Sequence, residues 1–200
     1  MVHTKTRWMA QLAILIAIVV LMAFTPLGYL KIGTLSITFL TIPVAIGTVV
    51  LGPTAGAILG LVFGLTSFMQ CFGMDAFGTT LMGINPFYTF VMCVVTRTLM
   101  GWLAGLIYRG LERLNKKWLQ PIASAIACAS CPLLNTIFFM STLYLFFGKS
   151  EIVLNAYGSK TFLAFIFTAV TLNSVLELIA TLVVGTAVCT AVQYALHKKR

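Results

Sequence analysis

Polar and charged residues cut this chain into long apolar stretches joined by short polar ones. The apolar stretches cover about residues 8–28, 39–51, 54–72, 87–108, 121–147 and 161–195, and each is read as a helix. A helix rising 1.5 Å per residue needs about 20 such residues to cross a hydrocarbon core of ~30 Å. The second stretch is short and carries Pro43, which a membrane helix tolerates where neighbours satisfy the freed carbonyl. Gly52-Pro53 then stops it before the third. Two segments break the pattern. From Lys31 to Thr38, polar and apolar residues alternate, and residues 29–38 are read as an extended external loop. Over 70–86, glycines, aromatics and Asp75 predict a second external loop. Phe72, Met74 and Phe77 would be exposed there unless they fold onto the bundle as a lid.

Composition turns a helical protein into a membrane protein. The chain is 60% hydrophobic and 8% charged, with a mean hydropathy of +1.04, whereas charged residues make up about a quarter of a soluble domain. Its 200 residues suit one transmembrane domain and leave no room for a separate soluble one. The expectation is an all-α integral membrane protein of six transmembrane helices.

The net charge of +9 refines the topology. Lys5 and Arg7 precede the first run, Arg109, Arg113, Lys116 and Lys117 separate the fourth and fifth, and Lys198, Lys199 and Arg200 end the chain. Placing these nine of the thirteen cations inside leaves Lys31, Lys149 and Lys160 outside and Arg97 within the membrane. Both termini are then cytoplasmic. The same distribution argues against nucleic acid as a partner, because the basic clusters have no folded soluble surface to sit on. The N-terminus has the cations of a signal peptide but no clear small-x-small cleavage site, so it is read as the first helix.

Catalytic chemistry finds little support. Gly148-Lys149-Ser150 fails as a phosphate loop because Leu143 stands where a glycine is required. Cys128-Ala-Ser-Cys131 has metal or redox spacing but no second pair of ligands, and cysteine also serves as a small apolar filler. The two histidines, His3 and His197, lie at the termini. The chain is therefore not read as an enzyme, and no metal or cofactor is expected.

Arg97 is the residue most at odds with its surroundings. It lies about ten residues into the fourth stretch, where an arginine costs roughly 2.5–3.5 kcal/mol on insertion scales. Counted from the external ends of their helices, Asn135 and Asn173 fall at nearly the same depth, and Glu177 is one turn beyond Asn173. One arginine and two amides suit a ligand with a carboxylate and several hydroxyl or amide groups. An Arg97–Glu177 ion pair that locks the bundle is the alternative, and it would favour a neutral or zwitterionic ligand. Asn85, Phe72 and Phe77 complete the candidate substrate set.

Small residues mark two packing faces. Ala10, Ala13 and Ala17 lie on the first helix, with Ala13 and Ala17 one turn apart. Gly52, Gly56, Gly60 and Gly64 recur every four residues, and Gly101 and Gly105 repeat the device. Such faces let helices approach closely in a membrane. The alanine face suits either a neighbouring helix of this chain or a partner.

These features together resemble the substrate-binding S component of an energy-coupling factor (ECF) transporter, a vitamin uptake system. The resemblance spans nearly all the chain: the six-helix layout, Ala13-x-x-x-Ala17, and Phe39-Leu-Thr-Ile-Pro43 leading to Leu51-Gly-Pro-Thr-Ala-Gly56 and the glycine ladder. It implies that the alanine face docks a transmembrane T component, which couples two cytoplasmic ATPases to transport. Those partners use the ATP. It further implies a vitamin bound near the outer side of a bacterial plasma membrane, beneath segments 29–38 and 70–86, and released when the whole component topples. Segments 38–64 and 85–97 are most similar to pantothenate-type members. Pantothenate carries a carboxylate, an amide and hydroxyls, in agreement with the polar layer. Folate, pyridoxine or a thiamine precursor stay open, as does a structural membrane protein with an internal arginine lock. A self-sufficient secondary transporter would show an internal repeat, and none is seen between the halves.

Overall fold

The computed structural model describes residues 2–26, 28–32, 35–113, 120–150, 153–154 and 172–197. Helix α1 (Val2–Ala23) leads into strands β1 (Tyr29–Ile32) and β2 (Leu35–Thr38), then α2 (Thr41–Leu51), α3 (Pro53–Gln70) and α4 (Ala76–Ile84). A long helix follows in three parts: α5 (Pro86–Phe90), a π-helical turn (Val91–Val95) and α6 (Thr96–Glu112). After α7 (Gln120–Phe147) the chain ends in α8 (Leu172–Ala180), a second π-helical turn (Thr181–Gly185) and α9 (Thr186–His197). Five helices among the described residues are long and apolar enough to cross a membrane, and Thr41–Leu51 is shorter. The start of the sixth predicted helix falls in residues 155–171, outside the described residues.

Helix α1 starts earlier than its apolar run suggests and ends at Ala23 rather than near residue 28. It is clipped to its neighbours near both ends. The Trp8 indole Nε1 donates to Leu51 O at 3.1 Å, and Gln70 Nε2 donates to Ala23 O. Both acceptors are terminal helix carbonyls with no partner inside their own helix. Leu12, Val19 and Ala23 are buried against the bundle. Ala10, Ala13 and Ala17 are exposed on the outside, so the alanine face does not pack against a described helix of this chain.

The glycine ladder packs on α6. A Cβ on Gly56 would strike Gly101 O, one on Gly60 would strike Arg97 O, and one on Gly64 would stand 2.7 Å from Val94 Cα. Gly101 and Gly105 return the contact, against Gly56 O and Pro53. The two backbones therefore touch directly, a contact that larger side chains would hold apart. Gly52 departs from the expected ladder. It lies outside α3, has a φ of +93°, and leaves open space where a Cβ would go. Its left-handed backbone turns the chain from α2 into α3, and Pro53 at the first helical position completes the break.

Two segments read as loops are ordered elements. Tyr29–Ile32 and Leu35–Thr38 form the two antiparallel strands of a hairpin in which Tyr29 pairs with Thr38 and Ile32 with Leu35. Within 70–86, Gly73 at φ +111° ends the path of α3. Asp75 then caps α4, its carboxylate accepting from Gly78 N at 2.8 Å. An aspartate at this position satisfies a helix-end amide that would otherwise lack a partner.

Candidate substrate site

The π-helical turn Val91–Val95 delivers Arg97 into the bundle. Three consecutive side chains fold back onto carbonyls of that turn: Thr96 Oγ1 donates to Met92 O, Arg97 Nη1 to Cys93 O at 3.1 Å, and Thr98 Oγ1 to Val94 O at 2.8 Å. One side of the guanidinium is thus held by its own helix. Its carbon stands 4.6 Å from the ring centre of Phe63 on α3 and 5.6 Å from that of Phe139 on α7. Desolvated cation–π contacts contribute about 2 kcal/mol, a large part of what burying an arginine in hydrocarbon costs. Arg97 is only 9% exposed, yet among the described residues its Nε has no hydrogen-bond partner.

Asn135 and Glu177 share that condition. Asn135 lies one turn before Phe139 on α7, and its buried Oδ1 has no partner among the described residues. Glu177, on α8, is 6% exposed, and its Oε1 has no partner among the described residues. The Thr41 hydroxyl, at the start of α2, lies against its carboxyl and also meets the Thr181 hydroxyl at 3.0 Å. The charge of Arg97 reaches Glu177, but no ion pair joins them among the described residues. An unpartnered buried polar group costs ~1–3 kcal/mol unless water or a ligand completes it.

The remaining candidates divide. Asn173 is on α8 next to Ser174, whose hydroxyl accepts from Thr136 Oγ1 at 3.5 Å, so α7 and α8 meet beside Asn135. The Asn173 side chain lies outside the described residues. Asn85 caps α5 with Oδ1, accepting from Phe87 N at 3.0 Å and Tyr88 N at 3.2 Å. That oxygen is committed to the backbone. Phe77 does fold down, onto a buried cluster that includes Leu81, Met92 and Phe147. Phe72 stays 68% exposed, edge-on to Phe68. Cys128 faces Cys189, with sulfurs 4.0 Å apart, rather than forming a pair with Cys131.

Several residues of the site carry no sequence signal. Phe63 and Phe139 hold the guanidinium, and Thr41 lies between Glu177 and Thr181. Tyr29 of the hairpin meets Ser67 Oγ on α3 at 3.1 Å, and the charge of Arg97 reaches its phenol. Burial pushes the Tyr29 phenol above its ordinary pKa of 10.0, so it stands as a neutral hydroxyl. The site is thus assembled from the hairpin and α2 on one side and from α3, α6, α7 and α8 around it.

A family model for the substrate-specific component of ECF transporters matches residues 7–189. Among curated proteins, the pantothenate transporter PanT of Leuconostoc mesenteroides subsp. mesenteroides is 23% identical over 193 residues, covering 94% of this chain and 93% of that protein. The pantothenic acid transporter PanT of Lactococcus lactis subsp. cremoris is 27% identical over 209 residues, covering 98% of each.

Proposed function

From a chain that belongs to the family of ECF transporter substrate-specific components, a multi-pass membrane protein with five described spans, we propose a binding subunit for pantothenate. The observation that carries this reading is that Arg97 Nε, Asn135 Oδ1 and Glu177 Oε1, three of the four buried side-chain atoms left without a partner among the described residues, come from three different helices; the fourth is Thr186 Oγ1 on α9. Pantothenate carries a carboxylate at one end, an amide in the middle and two hydroxyls at the other. Arg97 presents its Nε edge to the carboxylate, because Nη1 already donates to Cys93 O while Nε is without a partner among the described residues. Asn135 Oδ1 accepts from the amide, and Glu177 with Thr41 takes the hydroxyl end. The names of the two relatives support the same ligand. The absence of a direct Arg97–Glu177 pair among the described residues favours ligand anchoring over an internal lock.

Transport requires partners. We assign the exposed Ala13 and Ala17 to a transmembrane T component, with two cytoplasmic ATPases supplying the energy and toppling of this chain releasing the vitamin inward. Both termini are assigned to the cytoplasm and the membrane to a bacterial plasma membrane. Native mass spectrometry of protein purified in mild detergent tests the ligand: one pantothenate mass per chain supports the reading. A different retained vitamin, or no binding across a vitamin panel, refutes it.

A further inference from the structure

We propose that the Tyr29 and Ser67 hydroxyls form a second donor for the ligand carboxylate, beside Arg97, and so discriminate an acid from its alcohol analogue. This rests on the pantothenate reading above. Two hydroxyls 3.1 Å apart hold two protons, and their mutual hydrogen bond consumes one. A helical serine commonly disposes of its proton on the carbonyl of the preceding turn. For Ser67 those acceptors are Phe63 O, which already accepts from Thr66 Oγ1 at 2.9 Å, and Gly64 O, and among the described residues the Ser67 hydroxyl is seen bonded only to Tyr29. The second proton of the pair is therefore available to something else.

Placement supplies the partner. Ser67 lies one turn beyond Phe63 on the same face of α3, and the Arg97 guanidinium stands 4.6 Å from that ring. The Tyr29 phenol lies within reach of the Arg97 charge. A neutral hydroxyl pair beside a buried cation offers a donor where an anion would settle, and a hydrogen bond to a charged acceptor is about twice as strong as a neutral one. The hairpin also reaches the other pole of the site. Tyr29 pairs with Thr38, and Thr41, which lies against Glu177, donates to Thr38 O at 3.4 Å.

The test titrates the full-length protein in detergent with pantothenate and, up to millimolar concentration, with panthenol, in which a primary alcohol replaces the carboxylate. Tyr29→Phe and Ser67→Ala each remove one oxygen and leave the packing volume nearly unchanged. Each should weaken pantothenate by roughly tenfold or more while leaving panthenol within about twofold, and the double variant should lose little more than either single one. Equal weakening of both compounds would reduce Tyr29 to a pin for the hairpin and overturn the inference. So would unchanged pantothenate binding in both variants while the wild type binds tightly. Failure of the wild type to bind pantothenate would instead refute the ligand assignment on which the inference rests.

Discussion

Gly60 lies flat against the backbone of Arg97. A Cβ built on Gly60 would collide with the Arg97 carbonyl oxygen and stand 3.1 Å from Thr98 Cα. The glycine ladder thus sets where the guanidinium sits, since α6 can reach this depth only by touching bare backbone. Gly60→Ala should cost ~1–3 kcal/mol, because the obstructing atoms are backbone and cannot rotate away. It should also weaken ligand binding. Gly83, with nothing within 4 Å of its would-be Cβ and no positive φ, is the control. Thermal unfolding of both alanine variants in detergent checks the contrast.

Arg97→Ala should leave a folded protein and weaken pantothenate by a hundredfold or more, since truncating one member of a buried charge pair costs about 2–5 kcal/mol. Arg97→Lys should recover only part of this. It keeps the charge but loses the planar fork and the contact between Phe63 and Phe139. Titration calorimetry on the two variants separates charge from geometry. Loss of folded protein in both would instead favour an arginine that locks the bundle.

Asn85 illustrates how a sequence candidate changes meaning once its hydrogen bonds are known. Its Oδ1 caps α5, and aspartate caps as well as asparagine. Asn85→Asp should therefore bind pantothenate as the parent does, while Asn85→Ala should lower stability by ~1 kcal/mol. An amide contact to the ligand would give the opposite pattern, with Asn85→Asp impaired.

The exposed alanines carry the partner prediction. Ala13→Leu should impair co-purification of the ATPase-bearing module and leave pantothenate affinity within about twofold, because Ala13 faces away from the bundle. Pull-down and titration on the same preparation check both halves. Impaired ligand binding with an intact complex would assign this face to the wrong role.

Sequence alone exposed the polar anomalies and concealed their company. Arg97, Asn135 and Glu177 stand out because a charge or amide inside an apolar run has no ordinary reason to be there. Phe63, Phe139 and Tyr29 give no such contrast, since an aromatic residue in or beside a membrane helix looks like packing or interface until its neighbour is known. The glycine spacing was legible, but its partner helix was not, and the period alone drew in Gly52, whose task is a turn. Helix α4 was hidden because Gly73, Gly78 and Gly83 suggest a loop. The one local signal was Asp75 at a cap position, and it mattered more than propensity. The π-helical turns described before Arg97 and after Glu177 left no mark in the sequence pattern at all.

The central claim is that the unpartnered atoms of Arg97, Asn135 and Glu177 hold one pantothenate. Titration calorimetry of the ligand-free wild-type protein tests it most directly. The expected result is one site per chain with a Kd below about a micromolar for pantothenate, equivalent to more than ~8 kcal/mol, and much weaker binding of panthenol. Equal affinity for the two compounds, or no heat from pantothenate at a folded protein, would contradict it.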